Sequence, residues 1–302
     1  MLNTDFLNQG FLSKVFILFF IVALSSIVFT SFGMLISFLF FGTEITFETN
    51  ISQQEALALK IVQVFSTLGF FLIPAFIFRF IDTTNKNFFK LNNLVKPTTA
   101  LLCVLLFVSL IPIVNLLINI NAQISFPEEF IQIEQWFKEQ QTKQEQIIKK
   151  FTLMNTQGDL LLNIFVMALV PAFSEELFFR GVLQNLVLEW KKNIHFAVFL
   201  TAFLFAVVHQ QFYTFIPIFF LGAILGYIYC LTANIWLPIT IHFLNNFLAV
   251  LSSYFEQQDK RLNLTENLTA HQENTAWLLQ SMLASGLILY FLYKKRTNLN
   301  LQ

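Results

Sequence analysis

Residues 193–255 decide the fold class; they read NIHFAVFLTAFLFAVVHQQFYTFIPIFFLGAILGYIYCLTANIWLPITIHFLNNFLAVLSSYF and contain no Asp, Glu, Lys or Arg. A membrane-spanning helix needs about 20 predominantly apolar residues, so this stretch has room for three. The polar pair Gln210-Gln211 and the triplet Thr232-Ala233-Asn234 divide it. We therefore expect three spans, at about 194–212, 214–231 and 235–252.

The composition of the whole chain agrees with a membrane protein. Of its 302 residues, 56% are hydrophobic and only 12% are charged, whereas a soluble domain carries about 25% charged residues. The 18 basic residues balance the 18 acidic ones without a basic block, which gives nucleic-acid binding no electrostatic support. Cys103 and Cys230 both lie in apolar runs, so no disulfide framework is expected.

Five further apolar runs complete the predicted set of spans, at 15–41, 61–78, 99–120, 160–188 and 276–293. The first run is too long for the apolar region of a cleaved signal peptide, so we interpret it as a retained helix. Because the runs are continuously apolar and not alternating, a strand barrel is disfavoured. The sequence thus predicts an all-α, polytopic membrane protein with about eight transmembrane helices in one bundle, forming a single domain over 1–302.

The distribution of basic residues between the spans predicts the orientation. Residues 79–98 contain four basic residues against one Asp, residues 191–192 are both Lys, and residues 294–296 are Lys-Lys-Arg. An eight-span model places these three segments on one side, which the positive-inside rule makes cytoplasmic. Both termini are then cytoplasmic, and the acidic loop 42–60 lies outside. A second outer segment, 121–158, is predicted to form an amphipathic helix, either on the membrane face or packed on the protein, with Ser125-x-x-Glu128 as a capping box.

Charged residues inside the predicted spans are confined to one short segment, which contains Glu175, Glu176 and Arg180. Each costs about 2.5–3.5 kcal/mol at the centre of a membrane helix. His209 and His242 lie in two other spans of the same half of the chain. A buried Glu–Arg pair can simply tie helices together, and an intramembrane His can be a hydrogen-bonded packing residue. Polar groups in three separate spans nevertheless favour a shared site.

Helical spacing assigns relative positions to these groups. Residues four apart are neighbours on one helix face, which applies to Glu176 with Arg180, to Phe205 with His209 and to His242 with Asn246. The helical period places Glu175 about 100° away from Glu176. Glu176 and Arg180 are therefore predicted to form a pair, while Glu175 faces another helix.

Three motifs together resemble the signature of a known family. They are EELFFRG at 175–181, Phe205-x-x-x-His209 and His242-x-x-x-Asn246. The set is similar to that of the CPBP family, which comprises the type II CAAX prenyl endopeptidases and bacterial proteins of bacteriocin processing and self-immunity. The resemblance covers a CPBP-like catalytic core at 160–255. It implies an intramembrane endopeptidase, in a bacterial cytoplasmic membrane, that hydrolyses a peptide bond of a membrane-associated protein or peptide.

The same resemblance implies roles for the candidate catalytic residues. Glu175, with His209, is expected to position and deprotonate a water molecule. His242 and Asn246 are expected to donate hydrogen bonds to the tetrahedral oxyanion, where the loss of one donor typically costs 10²–10³ in rate.

Three further residues are expected to support this machinery. Glu176 and Arg180 form the pair that holds the helix, and Phe205 walls the pocket. The expected partners are the lipid bilayer and a peptide or membrane-associated protein substrate, without nucleic acid; the sequence leaves the oligomeric state open.

Alternatives to a metal-free protease remain at this point. His209, His242 and Glu175 have the donor types of a zinc site, although the sequence has no His-Glu-x-x-His motif; we expect no cofactor, with zinc as the alternative. A second alternative is a non-enzymatic immunity protein or scaffold that keeps the motifs as structure. A transporter is the third, since buried ionisable groups also mark ion paths, but the sequence shows no internal repeat.

Overall fold

The computed structural model describes residues 10–42, 52–82, 89–258 and 275–296. Within these ranges the chain forms helices and no strand. They are α1 (Phe11–Phe41), α2 (Gln53–Ile81), α3 (Pro97–Ala122), α4 (Ile131–Phe151), α5 (Gln157–Lys191), α6 (Ile194–Val208), α7 (Phe215–Thr232), α8 (Trp236–Gln258) and α9 (Thr275–Lys294), with single 3₁₀ turns at Glu128–Phe130 and Phe212–Thr214.

Six of these elements are long and apolar enough to cross a membrane, namely α1, α2, α3, α5, the stretch Phe212–Thr232 and α9. The prediction of an all-α, multi-pass membrane protein is thereby confirmed. The two other predicted spans are also helical. However, α6 has only 15 residues, and α8 has 23 residues but carries His242, Asn245 and Asn246 in its interior.

Both predicted breaks in the uncharged stretch are confirmed, because each coincides with a left-handed residue. Gln210 has a φ of 55° and follows the end of α6, while Ala233 has a φ of 50° and follows the end of α7. A non-glycine residue in this conformation cannot continue a right-handed helix. The predicted span 194–212 was too long for this reason, since its last turn is replaced by the bend at Gln210.

Several predicted features of the connections lie outside the described residues. These include residues 43–51 of the acidic loop 42–60, with Glu44 and Glu48, and residues 83–88 of the basic loop 79–98, with Lys86.

The outer segment contains the predicted amphipathic helix, α4, but not the predicted capping box. Pro127 precedes the first 3₁₀ turn, and no side chain caps that turn. Since helix formation starts only after Pro127, Ser125 lies too early in the chain to act as the N-cap. Instead, the Glu134 carboxylate accepts a hydrogen bond from the Phe126 amide at 3.0 Å.

One face of α4 packs on the protein. The Phe137 ring stacks on Phe212 with centroids 4.7 Å apart, and Phe126 lies 5.1 Å from the same ring. Trp136, on another side of the helix, is exposed. Of the two placements considered from the sequence, the structure therefore shows direct packing against the turn between α6 and α7.

Helix α5 is interrupted by two π-helical segments, Ile164–Leu169 and Leu177–Gln184. Pro171 lies at the start of the short α-helical segment between them. Proline lacks the amide hydrogen that a regular helix requires, so the hydrogen-bonding pattern changes around it. Segments of π-helix are common at functional sites, and here they flank Glu175 and Glu176.

The central part of α5 is the core of the bundle. Its buried residues pack against side chains from α1, α2, α6, α7 and the start of α8; the cluster comprises Leu18, Ala75, Phe78, Phe89, Leu177, Phe178, Phe179, Val182, Leu186, Phe205, Tyr229, Ile235 and Ile239. Charged side chains on this part of α5 are therefore surrounded by protein and not by lipid.

The start of α8 is held by the loop between α2 and α3. The Asn234 side-chain oxygen accepts from the Trp236 amide at 2.8 Å, which caps α8. The Asn234 amide group donates to the Asn93 carbonyl at 2.6 Å, and the Asn93 side chain donates to the Ala233 carbonyl. This reciprocal pair fixes the position of the helix that carries His242.

A close approach between α1 and α2 depends on Gly69. A Cβ atom at this position would lie 2.5 Å from the Phe29 Cβ and 2.8 Å from the Ser25 carbonyl oxygen. The Ser25 hydroxyl also donates to the Gly69 carbonyl at 2.6 Å. Small residues allow membrane helices to pack this closely.

We expect Gly69→Ala to destabilise the protein by about 1–3 kcal/mol, as overpacking does. Gly286→Ala is the matched control, because a Cβ there meets nothing within 4 Å, and alanine is the better helix former by about 1 kcal/mol. Thermal unfolding in detergent measures both. If the two variants melt at the same temperature, the α1–α2 contact described here is wrong.

Candidate active site

The predicted pair of Glu176 and Arg180 is present in the structure, where both side chains are fully buried. The Arg180 Nη1 donates to the Glu176 Oε1 at 2.7 Å. This agrees with the four-residue spacing, although the Arg180 end of the pair lies in a π-helical segment. A buried guanidinium always carries its charge, so the adjacent carboxylate balances it.

Arg180 makes two further contacts that the sequence did not indicate. Its Nη2 donates to the Gly222 carbonyl of α7 at 2.8 Å. Its guanidinium carbon lies 4.9 Å from the centroid of the Phe205 ring, within the range of a cation–π interaction. The charge is thus held by one carboxylate, one carbonyl and one aromatic ring.

One turn further along α5, Gln184 also donates a hydrogen bond to a backbone carbonyl of α7. Its amide nitrogen donates to the Gly226 carbonyl and to the Cys230 Sγ, both at 3.1 Å. A Cβ atom added at Gly222 would lie 3.3 Å from Ala202, and one added at Gly226 would lie 2.9 Å from the Gln184 Oε1. The Gly222-x-x-x-Gly226 spacing, a small-residue packing motif, was present in the sequence but was not recognised as the packing contact between α5 and α7.

His242 joins the site by contacting both glutamates. Its Nδ1 lies 2.9 Å from the Glu176 Oε1, the same oxygen that pairs with Arg180. Its Nε2 lies 3.9 Å from the Glu175 Oε2. The sequence could not indicate the Glu176 contact, because 66 residues separate the two positions and no local periodicity relates them.

His209 lies at the end of α6, and its Nδ1 is 2.7 Å from the Phe205 carbonyl oxygen. The Phe205 ring lies between the two histidines, with centroids 4.6 Å from His209 and 5.8 Å from His242. The Phe205 ring therefore lies close to both histidine rings. No ion pair joins His209 to Glu175 within the described part of the chain; the Glu175 carboxylate lies beside His242 instead.

The hydrogen-bond partners define the tautomers of both histidines. A carbonyl and a carboxylate accept hydrogen bonds but cannot donate them. The Nδ1 atoms of His209 and His242 must therefore carry hydrogens. In the neutral rings, each Nε2 then presents a lone pair.

A cleft of about 170 Å³ lies beside the histidines. His209, His242, Asn245 and Asn246 form its polar part. Its apolar lining comes from α3, α6, α7 and α8 and consists of Phe107, Leu110, Phe205, Ile218, Leu221, Ile224, Leu225, Ile228 and Ile241. Because an apolar cavity of about 150 Å³ holds a benzene molecule, the cleft has room for one large apolar side chain.

The asparagines of α8 complete the polar part of the cleft. Asn246 was predicted from its spacing to His242, whereas Asn245 had no assigned catalytic role. The Asn245 amide nitrogen lies 3.3 Å from the Asn246 side-chain oxygen. Two amide groups therefore line the space next to the His242 ring and can donate hydrogen bonds to a bound carbonyl.

The donor set for a metal does not converge in this arrangement. Among the described residues, no group of three His, Cys, Asp or Glu side chains has the geometry to hold a metal ion. Glu175, His209 and His242 would have to provide such a site, and of these three, Glu175 lies beside His242, with 3.9 Å between its Oε2 and the imidazole Nε2.

The comparisons agree with the resemblance carried by the motifs. Residues 157–248, less than a third of the chain, match the family model of the type II CAAX prenyl endopeptidase Rce1-like proteins. This segment includes all three motifs, and the recognition made from them is confirmed.

Two curated proteins of Bacillus subtilis (strain 168) are similar over part of their length. "Putative membrane peptidase YdiL" is 28% identical over 109 residues, which is 34% of this chain and 44% of that protein. "Uncharacterized protein YpbD" is 33% identical over 82 residues, 27% of this chain and 41% of that protein. The chain thus spans less than half of these relatives. No solved structure matches it significantly.

We expect Arg180→Ala to lower the free energy of unfolding by about 3–5 kcal/mol, because it leaves the buried Glu176 carboxylate without its balancing charge. The double variant Glu176→Gln with Arg180→Met removes both charges and should recover part of this loss. Chemical denaturation in detergent measures the difference. If Arg180→Ala unfolds at the wild-type denaturant concentration, the pair has no supporting role.

Proposed function

We propose that the chain is an intramembrane endopeptidase in which residues 160–255 form the catalytic core of a single membrane domain. The observation that carries this proposal is the Glu175 carboxylate. It is buried, its Oε2 has no hydrogen-bond partner among the described residues, and it lies 3.9 Å from an imidazole nitrogen beside a cleft lined by two amides. The Rce1-like match and the name of the B. subtilis relative support the reaction class.

The first step is the attack of a water molecule on the substrate carbonyl. Glu175 accepts a proton from this water as the oxygen bonds to the carbonyl carbon, and general base catalysis of this kind contributes about 10²–10⁴ in rate. His209, with its Nε2 directed away from the Phe205 carbonyl, accepts a hydrogen bond in the site and orients the reactants. The carbonyl oxygen becomes an oxyanion as its π bond breaks.

The second step is collapse of the tetrahedral intermediate. The C–N bond breaks, and the proton held by Glu175 passes to the leaving nitrogen, which gives an amine and a carboxylic acid. Asn246 donates to the oxyanion, and Asn245 lies beside it. His242 can donate through Nε2 only when the ring carries two protons, because its Nδ1 hydrogen is already donated to Glu176.

The substrate is proposed from the location of the site. A peptide or membrane-associated protein reaches the cleft from the bilayer, with one apolar side chain seated between α3, α7 and α8. The resemblance to the family and to a B. subtilis protein supports a bacterial cytoplasmic membrane. The basic segments around Lys191-Lys192 and Lys294-Lys295 support an orientation with both termini in the cytoplasm. A prenyl group on the substrate is not required by this arrangement.

We expect Glu175→Gln to lower hydrolysis by at least about 100-fold, because an amide keeps the shape of the side chain but cannot accept the proton. Cleavage of a peptide library in proteoliposomes measures the rate. Glu189→Gln is the matched control, since Glu189 lies on the same helix and pairs with Lys14 of α1 at 3.9 Å.

Three results would contradict the protease assignment. Wild-type protein that binds peptides without cleaving them would indicate a scaffold or immunity protein, ion flux without cleavage would indicate a transporter, and full activity of Glu175→Gln would exclude Glu175 as the base.

We expect hydrolysis to survive exhaustive chelation, and the active preparation to contain far less than one zinc per chain. Elemental analysis and a chelator titration on the same sample test this. In a zinc enzyme, His209→Ala or His242→Ala would each release the metal. Stoichiometric zinc whose removal stops cleavage, and whose return restores it, would replace the metal-free mechanism by a metal-dependent one.

A further inference from the structure

Glu176 has a contact that a simple ion pair with Arg180 does not require. Its Oε1 accepts from the Arg180 Nη1 at 2.7 Å and also faces the His242 Nδ1 at 2.9 Å. Its Oε2 has no hydrogen-bond partner among the described residues. Both donors thus converge on one oxygen, which connects the core of α5 to the ring on α8.

We infer that Glu176 is a positioning residue that holds His242 as the Nδ1-protonated tautomer, so that its Nε2 accepts a hydrogen bond from the attacking water. This inference rests on the proposed function. It gives His242 a different role. His242 then accepts a hydrogen bond from the attacking water, and the asparagines of α8 donate hydrogen bonds to the oxyanion. Carboxylates fix the tautomer of a functional histidine in the same way in Ser-His-Asp hydrolases.

The distance between His242 and Glu175 supports this assignment. At 3.9 Å, the Nε2 and the Glu175 Oε2 are too far apart for a direct hydrogen bond. When the His242 ring is neutral and the Glu175 carboxylate is ionised, both of these atoms are hydrogen-bond acceptors. One water molecule at about 2.8 Å from each fits this separation and donates one hydrogen to each acceptor.

Such a water is oriented for attack. With both hydrogens engaged by Glu175 and His242, its lone pairs point away from these two groups and are available to a carbonyl carbon. As the C–O bond forms, the hydrogen on the Glu175 side moves to the carboxylate, and the hydrogen bond to the His242 Nε2 is kept. The proton on Glu175 later leaves with the amine, so His242 begins and ends the cycle with one proton.

The alternative is that Glu176 only neutralises Arg180. The two accounts predict different tautomers of His242 in a variant that lacks the Glu176 carboxylate but leaves no buried charge unbalanced. The double variant Glu176→Leu with Arg180→Met removes the acceptor and its balancing cation together. Glu176→Gln is the conservative variant, because it keeps an acceptor oxygen in the same place.

The tautomer can be measured without any substrate. The full chain, labelled with ¹⁵N-histidine and reconstituted in lipid, has only four histidines, and loss of one signal in His242→Gln identifies the His242 resonances. In the wild type at neutral pH we expect a protonated Nδ1 and an unprotonated Nε2. The double variant should lose this pattern, and Glu176→Gln should largely retain it.

Steady-state kinetics of the same proteins test whether the His242 tautomer affects the rate of hydrolysis. We expect the double variant to lower kcat about 10- to 100-fold, the usual cost of losing a partner that orients a functional histidine, with KM nearly unchanged. Gln184→Leu is the matched control, since Gln184 lies at the same α5–α7 interface but donates its hydrogen bonds to Gly226 and Cys230 of α7. It should lose stability while the His242 tautomer and kcat stay as in the wild type.

The outcomes separate this inference from the proposed function. An Nε2-protonated His242 in the wild type, or an unchanged tautomer in the double variant, would overturn the role of Glu176 even if the protein is a protease. If the tautomer behaves as expected but the wild type cleaves no peptide, the protease assignment fails and the contact between Glu176 and His242 stands.

Discussion

Burial of one ion pair inside the helix bundle is the constraint on which the rest of the structure depends. A charge in a low-dielectric interior costs several kcal/mol unless it is paired and its remaining donors are satisfied. Arg180 meets most of this requirement through Glu176, the Gly222 carbonyl and the Phe205 ring, while its Nε has no hydrogen-bond partner among the described residues. These partners come from α5, α7 and α6, so the pair defines how closely the three helices must approach.

The glycines of α7 and the interrupted geometry of α5 follow from that constraint. Side chains larger than hydrogen at Gly222 and Gly226 would meet Ala202 and Gln184 at 3.3 Å or less. The Leu177–Gln184 segment of α5, which contains Arg180 and Gln184, is π-helical, and both of these side chains reach carbonyl oxygens of α7. The polar contacts of one helix are thus matched to the small residues of its neighbour.

The candidate site uses the same pair. Glu176 balances Arg180 and also contacts His242, which places α8 against α5 and directs the free imidazole nitrogen toward Glu175. The apolar cleft lies beside the His242 ring, where α3, α7 and α8 meet. Stability and the proposed chemistry are therefore coupled: the groups that compensate the buried charge are also the groups that orient the reacting side chains.

Local patterns determined much of this protein. Apolar runs predicted the helices because the bilayer requires about 20 such residues per span, and the polar breaks at Gln210 and Ala233 coincide with left-handed residues. Four-residue spacing predicted the pairing of Glu176 with Arg180, because neighbours on one turn must touch. The three motifs predicted the family resemblance over the segment that the family model matches.

Only the tertiary structure decided which groups meet across helices. The family resemblance implied that Glu175 acts together with His209, and this stays a prediction. The structure adds that Glu175 lies beside His242 and that His242 has a second contact with Glu176. The start of α4 also differed, since Pro127 displaced the expected cap. The contacts between helices share one physical reason. Periodicity along one helix defines which of its residues share a face. The rotation and approach of two helices follow instead from packing, which no local pattern contains.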